Sequence, residues 1–228
     1  MEDLKDVVEW DVATWSRAVR YWGETVSALS SPPQTGLELG ARNGGVSCYF
    51  ASKFGCRMAC TDVETSPAAT ELHQRHGVSE LISYREVDAC SIPWEDCSFD
   101  FVVFKSILGV VGARGQRERQ AEAMAEIHRV LRPGGRLLFA ENLRASRLHQ
   151  TARHWFVPWG KSWTYVTLEE LRELLGVFKS VDLRSTGFSS AFVPKPEFLR
   201  TICAAMDDSL LRCVPKNWNY VGYGHAIK

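Results

Sequence analysis

Residues 37–45 read LELGARNGG, an apolar strand running into a glycine-rich turn, with Arg42 standing where a glycine is expected. Gly40, Gly44 and Gly45 let a backbone turn sharply and approach a ligand closely, and a helix starting near Gly44 offers unpaired N–H groups. Further on, Asp62 ends the apolar run RMACTD, the place where an acid meets a ribose. Asp88 ends a third run in REVDAC. Three such features at three successive strand ends make a row shaped for a nucleoside. A nicotinamide fingerprint, G-x-G-x-x-G, puts its middle glycine at position 42. Arg42 there obstructs the approach of backbone to a pyrophosphate. A ligand with no pyrophosphate and a terminal carboxylate avoids the obstruction, because an arginine pairs with carboxylate.

Working outward, strands and helices alternate. Residues 36–40 read as a buried strand, 44–54 as a helix, 57–62 as a strand and 67–76 as a helix with proline in its first turn. Strands follow at 83–88 and 99–106, then a long helix at 116–131 stopped by RPGG, then a strand at 136–141. This rhythm specifies a parallel sheet covered on both faces, with ligands at the carboxyl ends of its strands. Before it, residues 3–29 read as one helix, ended by SSPPQTG. After it, residues 142–167 break the rhythm and are rich in Trp, His and Arg. A helix at 168–175, a strand at 178–184, a helix near 197–211 and a final strand ending YGHAIK complete the chain. That last strand is expected to enter the sheet antiparallel.

Composition narrows the function classes. The chain has 228 residues, 45% hydrophobic and 24% charged, suiting one domain or a domain plus a cap. Lys+Arg and Asp+Glu balance at 27 each, so no global field recruits nucleic acid or an anionic membrane. The start, MEDLKDVVEWDVATW, has no signal-type apolar core, and no run reaches the ~18–20 apolar residues of a bilayer span. A cytoplasmic protein is expected. Its seven cysteines form no CxxC pair and no zinc-type spacing with histidine, so they read as reduced, buried thiols and no metal is expected.

The chain resembles the class I S-adenosylmethionine-dependent methyltransferases. LELGARNGG looks like the family's E-x-G-x-G-x-G motif at Glu38, Gly40 and Gly44, departing from it at Arg42. CTDVETS is similar to the acidic loop after the second strand, and VDACSIPWEDCSFDFVVFKSIL to the stretch leading through the fourth. EIHRVLRPGGRLLFAE matches the helix, turn and fifth strand. The resemblance implies an α/β, Rossmann-like, seven-stranded, mostly parallel sheet of order 3-2-1-4-5-7-6, its last strand antiparallel and helices on both faces. It implies S-adenosyl-L-methionine as cofactor. Glu38, Gly40, Ala41, Arg42 and Gly44 would line its methionine end, and Asp62 would bind the ribose with Val63 against adenine. Asp88 and Ala89 would receive the adenine amino group, and Lys105 and Ser106 would face the sulfonium.

One domain over 1–228 is expected: a helical cap (1–31), a cofactor core (32–142), an aromatic insertion (143–167) and a part completing the sheet (168–228). Small-molecule substrate is expected against Tyr21 and Trp22 of the cap and Trp155, Trp159, Trp163 and Tyr165 of the insertion. A nucleophile that carries a proton calls for a base, and His154 and Glu141 are the candidates. His73 and His76 read as a helix end that favours a cation. Methyl transfer to an oxygen, nitrogen or carbon is the leading reading. A nicotinamide-dependent oxidoreductase and a cofactor-binding subunit without catalysis stand as alternatives.

Overall fold

In the computed structural model the described residues are 4–156, 162–193, 196–210 and 214–228. The quoted stretch forms β1 (Thr35–Leu39), and strand alternation sends its neighbours to opposite faces. Leu37 and Leu39 enter one core with Val102, Phe104, Leu137 and Phe139, while Val103, Leu138 and Ala140 enter the other. A sheet apolar on both faces needs helices on both, as parallel sheets do.

β2 (Arg57–Asp62) and β4 (Phe99–Lys105) flank β1 in parallel, with Leu37 opposite Ala59 and Val102. β3 (Ile82–Glu86) adds outside β2, and β5 (Leu131–Asn142) outside β4. β7 (Val221–Ile227) lies antiparallel between β5 and β6 (Ser180–Thr186), so the order is β3-β2-β1-β4-β5-β7-β6. Order and antiparallel last strand are as the resemblance implies. The chain departs in opposite directions from β1 and β4, which makes their carboxyl ends the switch point.

On one face pack α2 (Val12–Ser27), α3 (Gly45–Phe54) and α4 (Pro67–Arg75). α6 (Arg117–Val130) covers the other face with α8 (Leu168–Leu174), which Thr167 and Glu170 start as a capping box. A short α5 (Leu108–Val111) follows β4, and α9 (Glu197–Leu210) packs near α2.

Two expectations are corrected. The N-terminal helix is two: α1 (Leu4–Val8) ends, and Glu9 and Asp11 take left-handed backbone (φ 69° and 45°) before α2 begins. Residues 142–167 are not irregular throughout, because 147–156 form α7 (Arg147–Phe156). A parallel bridge between Leu143 and Val166 closes that segment. Of the cysteines, Cys48, Cys56 and Cys60 are buried as expected, but Cys97 is exposed; Cys213 lies outside the described residues.

Candidate functional site

The turn after β1 is built to stay open. Gly40 sits at φ 68°, and a side chain there would collide with Ile107 (2.4 Å). Arg42 also takes a left-handed conformation (φ 50°), and its N–H donates to Asp62 Oδ2 at 2.7 Å. Val63 N–H donates to Asp62 Oδ1 at 2.7 Å. Two backbone amides thus orient the carboxylate at the end of β2, leaving a second lone pair on each oxygen for a diol. Val63 is 67% exposed beside it, an apolar surface for a base. At the next strand end Asp88 accepts from Cys90 N–H (2.9 Å) and Arg119 (2.6 Å). Those bonds outweigh desolvation and lower its carboxyl. These groups fit an adenosine.

His73 lies in the last turn of α4 as expected, but it is fully buried rather than a solvated cation, bonded to Tyr84 Oη (2.7 Å) and to the Gly44 carbonyl (2.8 Å). Burial lowers its pKa, so a neutral imidazole props the glycine turn from below. His76 caps the same helix end, 3.0 Å from Asp6.

The N-terminal segment roofs this turn. Gly45 has no side chain, and a Cβ there would meet the Asp6 carbonyl at 2.3 Å, so α1 rests directly on α3. Lys105 Nζ donates to the carbonyls of Val8 (2.7 Å) and Val7 (3.2 Å), capping the negative end of α1. It also lies 4.1 Å from the Trp10 ring centroid and 4.0 Å from Glu9. Burial lowers its pKa to about 8, against the pull of Glu9 and Glu38. Arg42 lies 3.4 Å from Glu9 and 5.6 Å from the Trp10 ring. The residue expected to meet a carboxylate thus already has one.

Between this roof, α7 and the chain near α9 lies a cavity of about 1010 Å³, lined by Trp10, Asp11, Trp15, Arg42, Asn142, His149, Ala152, Arg153, Trp163, Tyr165, Ala191, Phe192, Arg200 and Tyr220. Of the expected substrate residues, Trp163 and Tyr165 are in this wall. Tyr21 and Trp22 are not. Tyr21 is bonded to Asp182 (2.8 Å) and His225 (2.6 Å) over the sheet, and Trp22 is wholly buried. The wall takes Trp15 from the start of α2 and Trp10 from the break that precedes it, whereas Tyr21 and Trp22 lie further along that helix. Trp155 is 72% exposed and outside the wall, and Trp159 lies outside the described residues.

Neither expected base lies in the wall. His154 is exposed on α7, whose cavity face carries His149, Ala152 and Arg153 at i, i+3 and i+4. His149 is engaged at both nitrogens, with Ser146 Oγ (2.7 Å) and the Phe188 carbonyl (3.0 Å). Glu141 is fully buried, accepting from Leu108 N–H (2.8 Å) and Asn142 N–H (3.0 Å). It ties β5 to the turn after β4, where Asn142 donates to Ser106 Oγ (2.6 Å).

Among the described residues Asp11 is the acid in the wall, its side chain only 9% exposed. The Tyr220 hydroxyl donates to Oδ2, while Oδ1 has no hydrogen bond and lies 3.9 Å from Arg200 Nε. Burial raises its pKa above the ordinary carboxylate value, against the pull of Tyr220 and Arg200. The sequence signal for this group was weak: an Asp in WDVATW reads as a helix-interior residue unless the break is seen.

Burial raises both Glu38, which accepts from Ser47 N–H and Oγ, and Glu141 from about 4.5 to about 7. Each holds its proton more tightly folded than unfolded, so stability is greatest below about 4.5 for these groups and falls as pH rises through about 7. The melting temperature is therefore expected to fall from pH 5 to pH 8, and less steeply in Glu141→Gln. A slope unchanged by that substitution would count against a buried, proton-holding Glu141.

Residues 37–139 match the family model described as a methyltransferase domain. The chain is 30% identical over 128 residues to the sarcosine/dimethylglycine N-methyltransferase of Halorhodospira halochloris, covering 54% of this chain and 43% of that one. It is 28% identical over 125 residues to the chloroplastic tocopherol O-methyltransferase of Arabidopsis thaliana, covering 53% and 34%. The chain spans less than half the length of these curated relatives. In fold it is similar to Haemonchus contortus phosphoethanolamine N-methyltransferase 2 bound to phosphomonomethylethanolamine and S-adenosylhomocysteine (TM-score 0.63, 18% identity, covering 94% of this chain and 52% of that one). Among the described residues no helix is long and apolar enough to cross a membrane.

Proposed function

We propose that this chain, whose residues 37–139 match a methyltransferase domain, is a class I S-adenosylmethionine-dependent methyltransferase that methylates a nitrogen or oxygen of a small molecule held in the cavity, with Asp11 as the proton acceptor. The observation that carries this reading is the cavity itself, whose wall joins the glycine turn at Arg42 to the end of β5 at Asn142. S-adenosylmethionine supplies, when bound, an electrophilic methyl group on a sulfonium. Displacement at that carbon is in line, so the protein's main task is to hold the nucleophile collinear, and positioning supplies roughly 7–11 kcal/mol.

In this reading Asp62 and Val63 hold the ribose and adenine, with Asp88 and Ala89 at the amino edge. Glu38, Gly40, Ala41, Arg42 and Gly44 form the methionine end. Lys105 clamps the roof, and Ser106, held by Asn142, borders the transfer point. Glu141 positions that turn rather than touching substrate. Aromatic walls exclude water and align the substrate, as small-molecule sites commonly do. Residues 1–31 and 143–167 then serve as cap and substrate wall of one domain.

The curated relatives carry names of both N- and O-methyltransferases, which supports either nucleophile. Calorimetry with S-adenosylhomocysteine and with NADH tests the reading. Binding of the first and not the second is expected; tight binding of NADH alone would replace it with the oxidoreductase. Turnover to S-adenosylhomocysteine with a metabolite extract, read by mass spectrometry, separates an enzyme from a cofactor-binding subunit.

A further inference from the structure

Among the described residues three arginines line the cavity, and two have carboxylates beside them. Arg42 lies 3.4 Å from Glu9, and Arg200 lies 3.9 Å from Asp11 while donating to the Val193 carbonyl (2.9 Å). Arg153 has no carboxylate partner among the described residues. Its Nη1 donates to the carbonyls of Leu143 (2.6 Å) and Arg144 (3.3 Å), and its guanidinium lies 4.3 Å from the centroid of Tyr165. Nε and Nη2 make no hydrogen bond to the described residues. Burial holds its pKa below the usual arginine value, and the groups opposing that are tyrosines, Tyr165 and Tyr220.

A partly desolvated cation without a counter-charge is costly, and the cost is offset when a ligand brings the charge. The arrangement is rigid. Two carbonyls fix one edge of the guanidinium and Tyr165 fixes its plane, leaving a planar donor edge suited to bidentate oxyanions. Asp11 lines the same cavity, its unpaired Oδ1 buried behind the wall, and the Tyr220 hydroxyl that donates to Oδ2 also interacts electrostatically with Arg153.

We propose that Arg153 is the anion-recognition residue of the substrate site, and that the substrate carries a carboxylate or phosphate besides the N–H or O–H that is methylated. The inference rests on the methyltransferase reading for the word substrate, but its anion arm stands apart. The specificity follows: a neutral analogue leaves Arg153 desolvated and unpaired, and binds more weakly for that reason.

The test measures thermal unfolding of the protein saturated with S-adenosylhomocysteine, in sodium benzoate, sodium phosphate or sodium chloride at equal ionic strength. Benzoate or phosphate is expected to raise the wild-type melting temperature by about 3–6 °C over chloride. A rise with one alone identifies the oxyanion. Arg153→Gln is expected to abolish the rise. Because Gln also gives up the carbonyl contacts, Arg153→Lys is run beside it; it keeps the charge but not the fork, and its rise is expected to fall by at least half. No rise in the wild type, or a full rise in either variant, overturns the proposal. Calorimetry with S-adenosylhomocysteine comes first. Absent binding there defeats the methyltransferase reading, and the anion arm is then read on the protein alone.

Discussion

Asp62→Ala is expected to weaken S-adenosylhomocysteine binding about 100-fold. The carboxylate ends β2 beside the turn after β1, and its oxygens are aimed by the amides of Arg42 and Val63. A ribose diol donates two hydrogen bonds to a carboxylate, and each bond to a charged group contributes roughly 1.5–3 kcal/mol. Losing one such bond already costs about 10-fold, and the Ala variant loses both. Asp62→Asn keeps one acceptor oxygen and is expected to fall between, near 10-fold. The competing account makes Asp62 a structural brace for the Arg42 turn alone. Calorimetry separates the two, because a brace lowers the melting temperature of Asp62→Ala while leaving affinity for adenosine intact. Affinity unchanged for both ligands would remove Asp62 from the site.

The parts of the molecule readable from sequence are those where local pattern and tertiary packing agree. β1, β2 and β4 are buried on both faces, so they appear as continuous apolar runs, and their polar ends mark where the runs meet solvent. Pro133 and Pro67 fix helix boundaries through backbone chemistry that no neighbour has to supply, although the RPGG stretch expected as a turn before a strand at 136–141 itself lies in the start of β5. Hence Gly40, Asp62 and Asp88 stand at three strand ends, in the row their spacing implied.

The cavity wall was less legible, for two physical reasons. Glu9 and Asp11 adopt left-handed backbone, a conformation uncommon outside glycine, in a stretch whose apolar spacing continues helically across the break. The break turns Trp10 toward the site, while within the continuous α2 Trp15 reaches the cavity near the helix start and Tyr21 and Trp22, further along, go into packing and hydrogen bonds over the sheet. In α7 the cavity face is polar, His149 and Arg153, so no apolar stripe announced the helix. Picking out aromatic residues by composition selected Trp155, which faces solvent, where the i, i+3, i+4 spacing from His149 selects Arg153. Charge pairing lies beyond any local signal. Arg42 meets Glu9 across a turn, and Arg153 finds no described acid at all.

Asp11→Asn is expected to lower kcat by about 10²–10⁴-fold while leaving S-adenosylhomocysteine affinity within twofold. The substitution is nearly isosteric. Asn tolerates the left-handed conformation at φ 45° and still accepts from the Tyr220 hydroxyl, so the fold has no reason to fail. What it removes is the carboxylate's capacity to take up the proton assigned to it in the proposed reaction, and the buried Oδ1 is the oxygen left without a partner. Because burial raises the Asp11 pKa, the basic form accumulates only as pH rises through that higher value. Wild-type kcat/KM is therefore expected to climb with pH and then level, and the Asn variant to lose the climb. A merely structural Asp11 predicts a different pattern: a lower melting temperature, a modest rate loss, and an ascending limb that survives. A pH profile of both proteins decides between them. Persistence of the limb in Asp11→Asn would assign the proton to solvent, leaving the cavity to work by alignment alone.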